Sequence, residues 1–338
     1  MGGDDAPNMV IDGAEIARQR HPGVRFLLFG DQALLKPLLD THPELAAVCR
    51  IRHTDKVVKP NDKPSIALRQ GRESSMRLAI NAVRDGEAGG IVSAGNTGAL
   101  MAMSKYVLKM LPGIDRPAMC TTLPTVNGKC VVLDLGANVD CDADNLVQFA
   151  LMGAAFARID LHVENPSVGL LNIGEEEIKG NDNVKNAANI LKEATLPFDY
   201  FGFVEGDDIA RGTTDVVVTD GFTGNVALKV AEGTVKLYTS FLRDIFGTGI
   251  LPRISYFLAR KGFARMSERF DPRNYNGAVL IGLNGVSIKS HGNSDEIGFA
   301  AAIDVAVELV EDDVTGKILK DFDQFGGIAI DDVEVAAS

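Results

Sequence analysis

Four short loops hold the residue types that bind anions. They read SAGNTGAL (93–100), DLGANVDCD (134–142), NIGEEEIKGND (172–182) and DGFTGNV (220–226). In the first, Ser93 and Gly95 lead into Asn96, Thr97 and Gly98, which are placed to open a helix. Free backbone N–H groups and the positive end of the helix dipole attract an anion there. Glycine lets the backbone approach it closely. A tight turn closed by a threonine cap would use the same residues. Asp220, Thr223 and Asn225 repeat the pattern in the last loop, which favours the anion reading.

Lys179 and Asn181 sit among small polar residues and are candidate phosphate ligands, while Glu175, Glu176 and Glu177 suit a solvated helix start. Lys289-Ser290-His291-Gly292 follows the apolar run 278–283. A lysine and a histidine two residues apart in a glycine-rich loop suit an anion or an acid–base role. A structural histidine remains open.

Two other chemistries fail on spacing. The run DCDADN (140–145) starts like a calcium loop, but Asn145 stands at its sixth position and Leu151 at its twelfth. The former should be glycine and the latter glutamate. No G-x-x-x-x-G-K-[ST] or G-x-G-x-x-G run is present, so nothing points to ATP or a nicotinamide cofactor. Cys49, Cys120, Cys130 and Cys141 include no C-x-x-C pair, which argues against zinc. No metal or cofactor is expected.

The elements that must carry these loops alternate. Apolar β-type runs at 24–29, 90–93, 130–133, 168–171 and 215–218 are followed by helical patterns at 98–111, 145–157, 184–194 and 225–246. The alternation predicts a mostly parallel sheet covered by helices. Ligands in such folds bind beyond the carboxyl ends of the strands.

The 225–246 helix places Leu228, Ala231, Val235, Tyr238, Leu242 and Ile245 on one narrow seam. That seam suits either core packing or a subunit interface. After Gly247-Thr248-Gly249, a second helical pattern aligns Ile250, Ile254, Phe257 and Leu258, next to Leu251 and flanked by Arg253, Arg260 and Lys261. Apolar area edged by cations suits ordinary packing or a peripheral membrane contact.

The formal net charge of −12 over 338 residues gives little general attraction to nucleic acid or an anionic membrane. The start MGGDDAPNMV lacks the features of a signal peptide. No apolar run reaches the ~18 residues of a membrane span. A cytosolic protein with reduced thiols is expected.

Taken together and in order, the motifs resemble the bacterial phosphate acyltransferase (PlsX) family. The matches are MGGDDAP (1–7), SSM (74–76), SAGNTGAL, LDLGAN (133–138), LLNIGEEEIKGN (170–181), DGFTGNV and the NGA…KSHG stretch (276–292). The resemblance implies an enzyme moving a long-chain acyl group from acyl carrier protein to inorganic phosphate, without a cofactor. It implies a three-layer α/β/α sandwich like phosphotransacetylase and the isocitrate-dehydrogenase group. One domain would span 1–325, with 226–272 as a helical dimerisation and membrane-tip element and 326–338 as a tail. A homodimer, contact with the inner membrane surface and a downstream glycerol-3-phosphate acyltransferase are implied as well. The family carries a short strand ahead of MGGD, so the sheet is expected to lack one strand here.

Phosphate is already an anion and needs no protein nucleophile if it is held and oriented. On the matched motifs, Ser93, Gly95, Asn96 and Thr97 are expected to hold phosphate or the oxyanion. Asn138, Lys179, Asn181, Asp220, Thr223 and Asn225 are expected to bind phosphate or substrate, and Lys289 and His291 to stabilise charge or protonate the leaving thiolate. Arg253, Arg260, Lys261, Arg265, Arg269 and Arg273 are candidates for docking the acidic carrier. A short-chain acyl-CoA phosphotransacylase, a metal-dependent hydroxyacid dehydrogenase of the same fold and a non-catalytic membrane scaffold remain alternatives.

Overall fold

Alternating side chains set the layers. Val131 and Leu133 are buried on one face of the central sheet, Cys130 and Val132 on the other. Successive strand residues point to opposite faces, so a strand apolar on both must be covered on both. A computed structural model of the chain describes residues 1–269 and 271–325. Its first half comprises α1 (Asn8–Arg20), β1 (Phe26–Gly30), α2 (Gln32–Asp40), α3 (Pro43–Val48), β2 (Cys49–His53), α4 (Pro64–Gln70), α5 (Ser75–Arg84), β3 (Gly90–Ser93), α6 (Thr97–Leu108), β4 (Ala118–Thr125) and β5 (Gly128–Leu133). There follow α7 (Ala143–Asp160), β6 (Ser167–Leu171), α8 (Asp182–Glu193), β7 (Asp199–Val204), α9 (Gly206–Arg211), β8 (Val216–Val218), α10 (Gly221–Gly247), α11 (Ile250–Arg269), β9 (Ala278–Ile281), β10 (Val286–Lys289), α12 (Glu296–Glu311) and α13 (Val314–Phe325). The tail expected at 326–338 lies outside the described residues.

Eight strands pair in the order β3-β10-β9-β4-β5-β8-β6-β7. The β3/β10 pair is parallel, and so are β5, β8, β6 and β7 among themselves. Between these groups β10/β9, β9/β4 and β4/β5 are antiparallel. The sheet is therefore mixed, where the sequence pattern predicted a mostly parallel one. The cause is the β4–β5 hairpin, in which Thr125 pairs with Gly128. Asn127-Gly128 is the sequence signal for that turn. In consequence β3 and β10 end on one edge of the sheet, and β5, β8, β6 and β7 on the opposite edge.

Helix α7 is buried nearly all round, with Phe149 and Phe156 at its centre. Each such phenyl ring contributes roughly 2 kcal/mol of burial. Helix α12 joins two clusters: Ala302 and Ala306 pack with α7 and the sheet, while Phe299 and Ile303 pack with α1 and β1. Strand β1 pairs with β2 in a separate two-stranded sheet. A cleft of about 760 Å³, lined by Leu28, Met76, Ile91, Phe299 and Val307, lies between β1 and β3, with Met1 and Gly2 beside it.

Helices α10 and α11 contact each other through Phe246, Tyr256 and Phe263, whose ring centroids lie 5.0–5.8 Å apart. Only Gly221 and Gly224 of α10 are buried. On its seam Val235, Tyr238 and Ile245 are exposed. Leu228 at the start of the seam packs on the Cys130–Val132–Val217 cluster, and further along the seam the chain leaves it uncovered.

Candidate functional site

Strands β3 and β10 deliver the first group of site residues. Ser93 and Lys289 end these parallel strands in matched register. The Ser290 N–H donates to the Ser93 carbonyl at 3.0 Å, and the Gly95 N–H donates to Ser93 Oγ at 3.2 Å. The N-terminal loop closes over them: the Asp4 N–H donates to the Gly292 carbonyl at 2.7 Å. Gly2 packs so tightly on Gly95 that a Cβ would fall 2.6 Å from Gly95 Cα. Any side chain there would push the two loops apart.

Lys289 is 9% exposed and donates to the Ser290 carbonyl. Burial pushes its pKa down to about 8. No carboxylate pairs with it among the described residues. His291 presents exposed surface, yet the protein packed about its ring pushes its pKa down, with the Lys289 charge adding to this and Glu232 opposing it. The His291 backbone N–H donates to Asn276 Oδ1 at 3.0 Å. The Asn276 amide in turn donates to Ser290 Oγ, Ser294 Oγ and the Gly298 carbonyl. Asn276 is buried and fixes the whole Lys289–His291 loop; its place just before β9 in the NGA motif was the available signal.

Asn96 caps α6, its Oδ1 accepting from the Ala99 N–H at 2.9 Å. Its amide donates to the carbonyls of Lys59, Pro60 and Asp62. The side chain is thereby spent on the loop at 59–62, leaving backbone N–H groups and the exposed Thr97 hydroxyl for a ligand.

The second group lies where β5, β6 and β8 end. Asp134, wholly buried, accepts from the backbone N–H groups of Met119, Gly136, Ala137 and Asn138 and from Asn138 Nδ2. Burial raises its pKa, and the Ala137, Met119 and Asn138 donors oppose that. The Asn138 amide also donates to the Pro117 carbonyl, so this side chain binds protein. The Gly221 N–H donates to the Asn138 carbonyl at 2.7 Å and the Asn183 amide to the Cys141 carbonyl at 3.0 Å. The three loops thus form one connected wall. Gly224 must be glycine, since a Cβ would sit 1.9 Å from the Asp134 carbonyl oxygen.

In this wall Asp220 caps α10, accepting from the Thr223 N–H and hydroxyl at 2.8 and 2.7 Å. Asn181 caps α8 through the Val184 N–H. Asn225 is exposed, against the Gly136 turn. Lys179 is half-exposed, with a loose 3.9 Å contact to Glu176. The two groups end on oppositely directed strands; α10 links them, rising from Asp220 and carrying Lys229, Glu232 and Lys236 into the electrostatic field of His291.

On the hairpin, Ile250, Leu251, Ile254, Phe257 and Leu258 are exposed. Arg253 donates to the Gly247 carbonyl, and Arg260 stacks over Phe257 at 4.3 Å. Lys261 is exposed. Two of the expected carrier-docking arginines are engaged by the protein itself: Arg269 on the Thr125 and Val126 carbonyls, Arg273 on Asp271 and Asp295.

A family profile described as "Fatty acid synthesis protein" matches residues 1–317. The chain is 56% identical over 337 residues to the phosphate acyltransferase of Paramagnetospirillum magneticum, covering 100% of this chain and 96% of that one. It is 57% identical over 310 residues to the phosphate acyltransferase of Rhodospirillum rubrum, covering 92% and 89%. The chain belongs to the phosphate acyltransferase family. Membership places it among the acyltransferases. Its fold is that of the phosphotransacetylases. A Streptococcus pyogenes phosphotransacetylase superposes with TM-score 0.55 at 14% identity, over 88% of this chain and 97% of that one. A branched-chain phosphotransacylase from Enterococcus faecalis gives 0.51 at 13%, over 85% and 99%.

Proposed function

We propose that the protein transfers a long-chain acyl group from the thioester of acyl carrier protein to inorganic phosphate. The observation that carries this is Lys289: a buried lysine without a carboxylate partner, at a strand end between Ser93 and His291. A buried cation held by one carbonyl is costly unless an anion completes its site. Phosphate is such an anion.

In the reaction, a phosphate oxygen attacks the thioester carbonyl carbon. The tetrahedral oxyanion collapses and the carbon–sulfur bond breaks. Acyl phosphate forms, and the proton lost by hydrogen phosphate ends on the thiolate sulfur. A thiol of pKa about 8.5 leaves readily. Lys289, Ser93 and the N–H groups of Asn96 and Thr97 stabilise the oxyanion. His291, neutral at pH 7, relays the proton. Lys179, Asn181 and Asn225 form the second wall, which attracts phosphate toward Lys289; Thr223, a candidate on its motif, has its N–H and hydroxyl both engaged by Asp220. Supporting this, Lys179 is held only by a loose contact to Glu176 and is free to turn to a ligand.

The exposed seam of α10 is read as a homodimer face. The tip residues Ile250 to Leu258, with Arg253, Arg260 and Lys261, are read as a contact with the cytoplasmic membrane surface. No helix among the described residues is long and apolar enough to cross a membrane. A downstream glycerol-3-phosphate acyltransferase would take up the product there.

Donor competition tests the proposal. Palmitoyl carrier protein should be used with a kcat/KM at least about a hundredfold above acetyl-CoA. Preference for acetyl-CoA would make the protein a short-chain phosphotransacylase instead.

A further inference from the structure

Residues 56–109 hold nine Lys and Arg against four Asp and Glu, a positive stretch in a chain of net charge −12. The carboxylates there are largely spent: Glu73 pairs with Lys56, Asp85 with Arg84 and Glu87 with Arg52. Lys63, Arg69, Arg72, Arg77, Lys105 and Lys109 pair with no carboxylate among the described residues. All but the half-buried Arg77 are exposed. At their centre Tyr106 stands exposed, with Arg77 at 5.3 Å and Lys109 at 4.8 Å from its ring. An aromatic ring among unneutralised cations is the composition of an interface centre.

The face is built into the site. Helix α6 starts at the Asn96 cap and ends beside the patch, so Tyr106 lies ~15 Å along the helix from Asn96. The start of α4 is pressed on the start of α6, where a Cβ on Gly98 would meet Pro64 Cγ at 2.7 Å. Asn96 ties the 59–62 loop to the same corner.

We propose that the exposed face of α4, α5 and α6 docks the acidic protein that carries the acyl thioester, with its pantetheine arm running along α6 to Ser93. This rests on the proposed carrier-protein donor. An acidic enzyme meeting an acidic partner needs a local positive surface to overcome their mutual repulsion. The basic residues of the α10–α11 region serve less well, because Arg273 is already neutralised by Asp271 and Asp295.

The test is the variant Arg69→Glu/Arg72→Glu/Lys105→Glu, assayed with palmitoyl carrier protein and with palmitoyl pantetheine. Three rim charges reversed should raise the KM for the carrier about tenfold or more at low salt, with turnover of palmitoyl pantetheine unchanged. Reversal of Arg253 and Arg260 should leave the carrier KM within about twofold. An unchanged carrier KM in the triple variant overturns the docking face. So does a change in oligomeric state with the carrier KM kept, which would make this face a contact between copies. Wild-type protein that turns over palmitoyl pantetheine but not the carrier would sink the donor reading, and the dock with it.

Discussion

Ser93 and Lys289 stand side by side at the ends of two parallel strands, and the residue after Lys289 donates its N–H to the Ser93 carbonyl. The pairing joins a chain segment near residue 90 to one near 290. It places a buried ammonium next to the glycine-rich turn that opens α6. The proposed chemistry depends on this juxtaposition.

Lys289 should cost stability where it is charged. Its folded pKa of about 8 lies below the ordinary 10.5. Between those values the unfolded chain holds the proton and the folded protein does not, so stability rises with pH across that window. Below pH 8 both states are charged and the burial cost is present in full. Lys289→Met should therefore be more stable than wild type at pH 7, by up to about 3 kcal/mol. The difference should close toward pH 10.5, and kcat should fall at least about a hundredfold. Urea unfolding at pH 7 and pH 10 reads this; a destabilised variant at pH 7 would contradict it.

Phosphate binding should restore the proton. An anion beside Lys289 raises its pKa again. Titration calorimetry at pH 8.5, in buffers of different ionisation heat, should show net proton uptake in wild type and little in Lys289→Met. Equal uptake by both would place the phosphate elsewhere.

Lys179→Ala should raise the phosphate KM about tenfold or more while kcat changes little, because the side chain is otherwise held only by a loose contact to Glu176. Steady-state kinetics with varied phosphate decide it. An unchanged KM would remove Lys179 from the site.

Asp134 holds the wall through five N–H donors. Asp134→Asn sets an amide against some of them and should cost about 2–4 kcal/mol in unfolding free energy. The phosphate KM should rise with it. Retained stability would show that the loop does not need the carboxylate.

Much of this was legible in the sequence because local signals carried it. Asn96, Asn181 and Asp220 are helix caps, and each stands where a polar residue precedes a helical pattern. Strands β3, β5, β6 and β8 were visible as short apolar runs. The antiparallel pairs were missed in a pattern read as mostly parallel, because they depend on the hairpin at Asn127-Gly128 and on pairings between β9, β10 and β4, far apart in the chain. Residue type revealed Asn96 and Asn138 as polar groups at loops. It could not reveal that both amides are consumed by neighbouring carbonyls. Asp134 and Asn276 were missed for a related reason: each acts by holding a loop, and only the hydrogen-bond partners show it. The α10 seam had the spacing of a buried stripe, but only the surrounding chain decides whether a stripe is covered.

The most direct measurement follows free thiol and radiolabelled acyl phosphate together, with palmitoyl carrier protein and varied labelled phosphate. Thiol release should saturate with phosphate, with one acyl phosphate formed per thiol. Thiol release that ignores phosphate, with the label staying in inorganic phosphate, would mean transfer to water and would contradict the account.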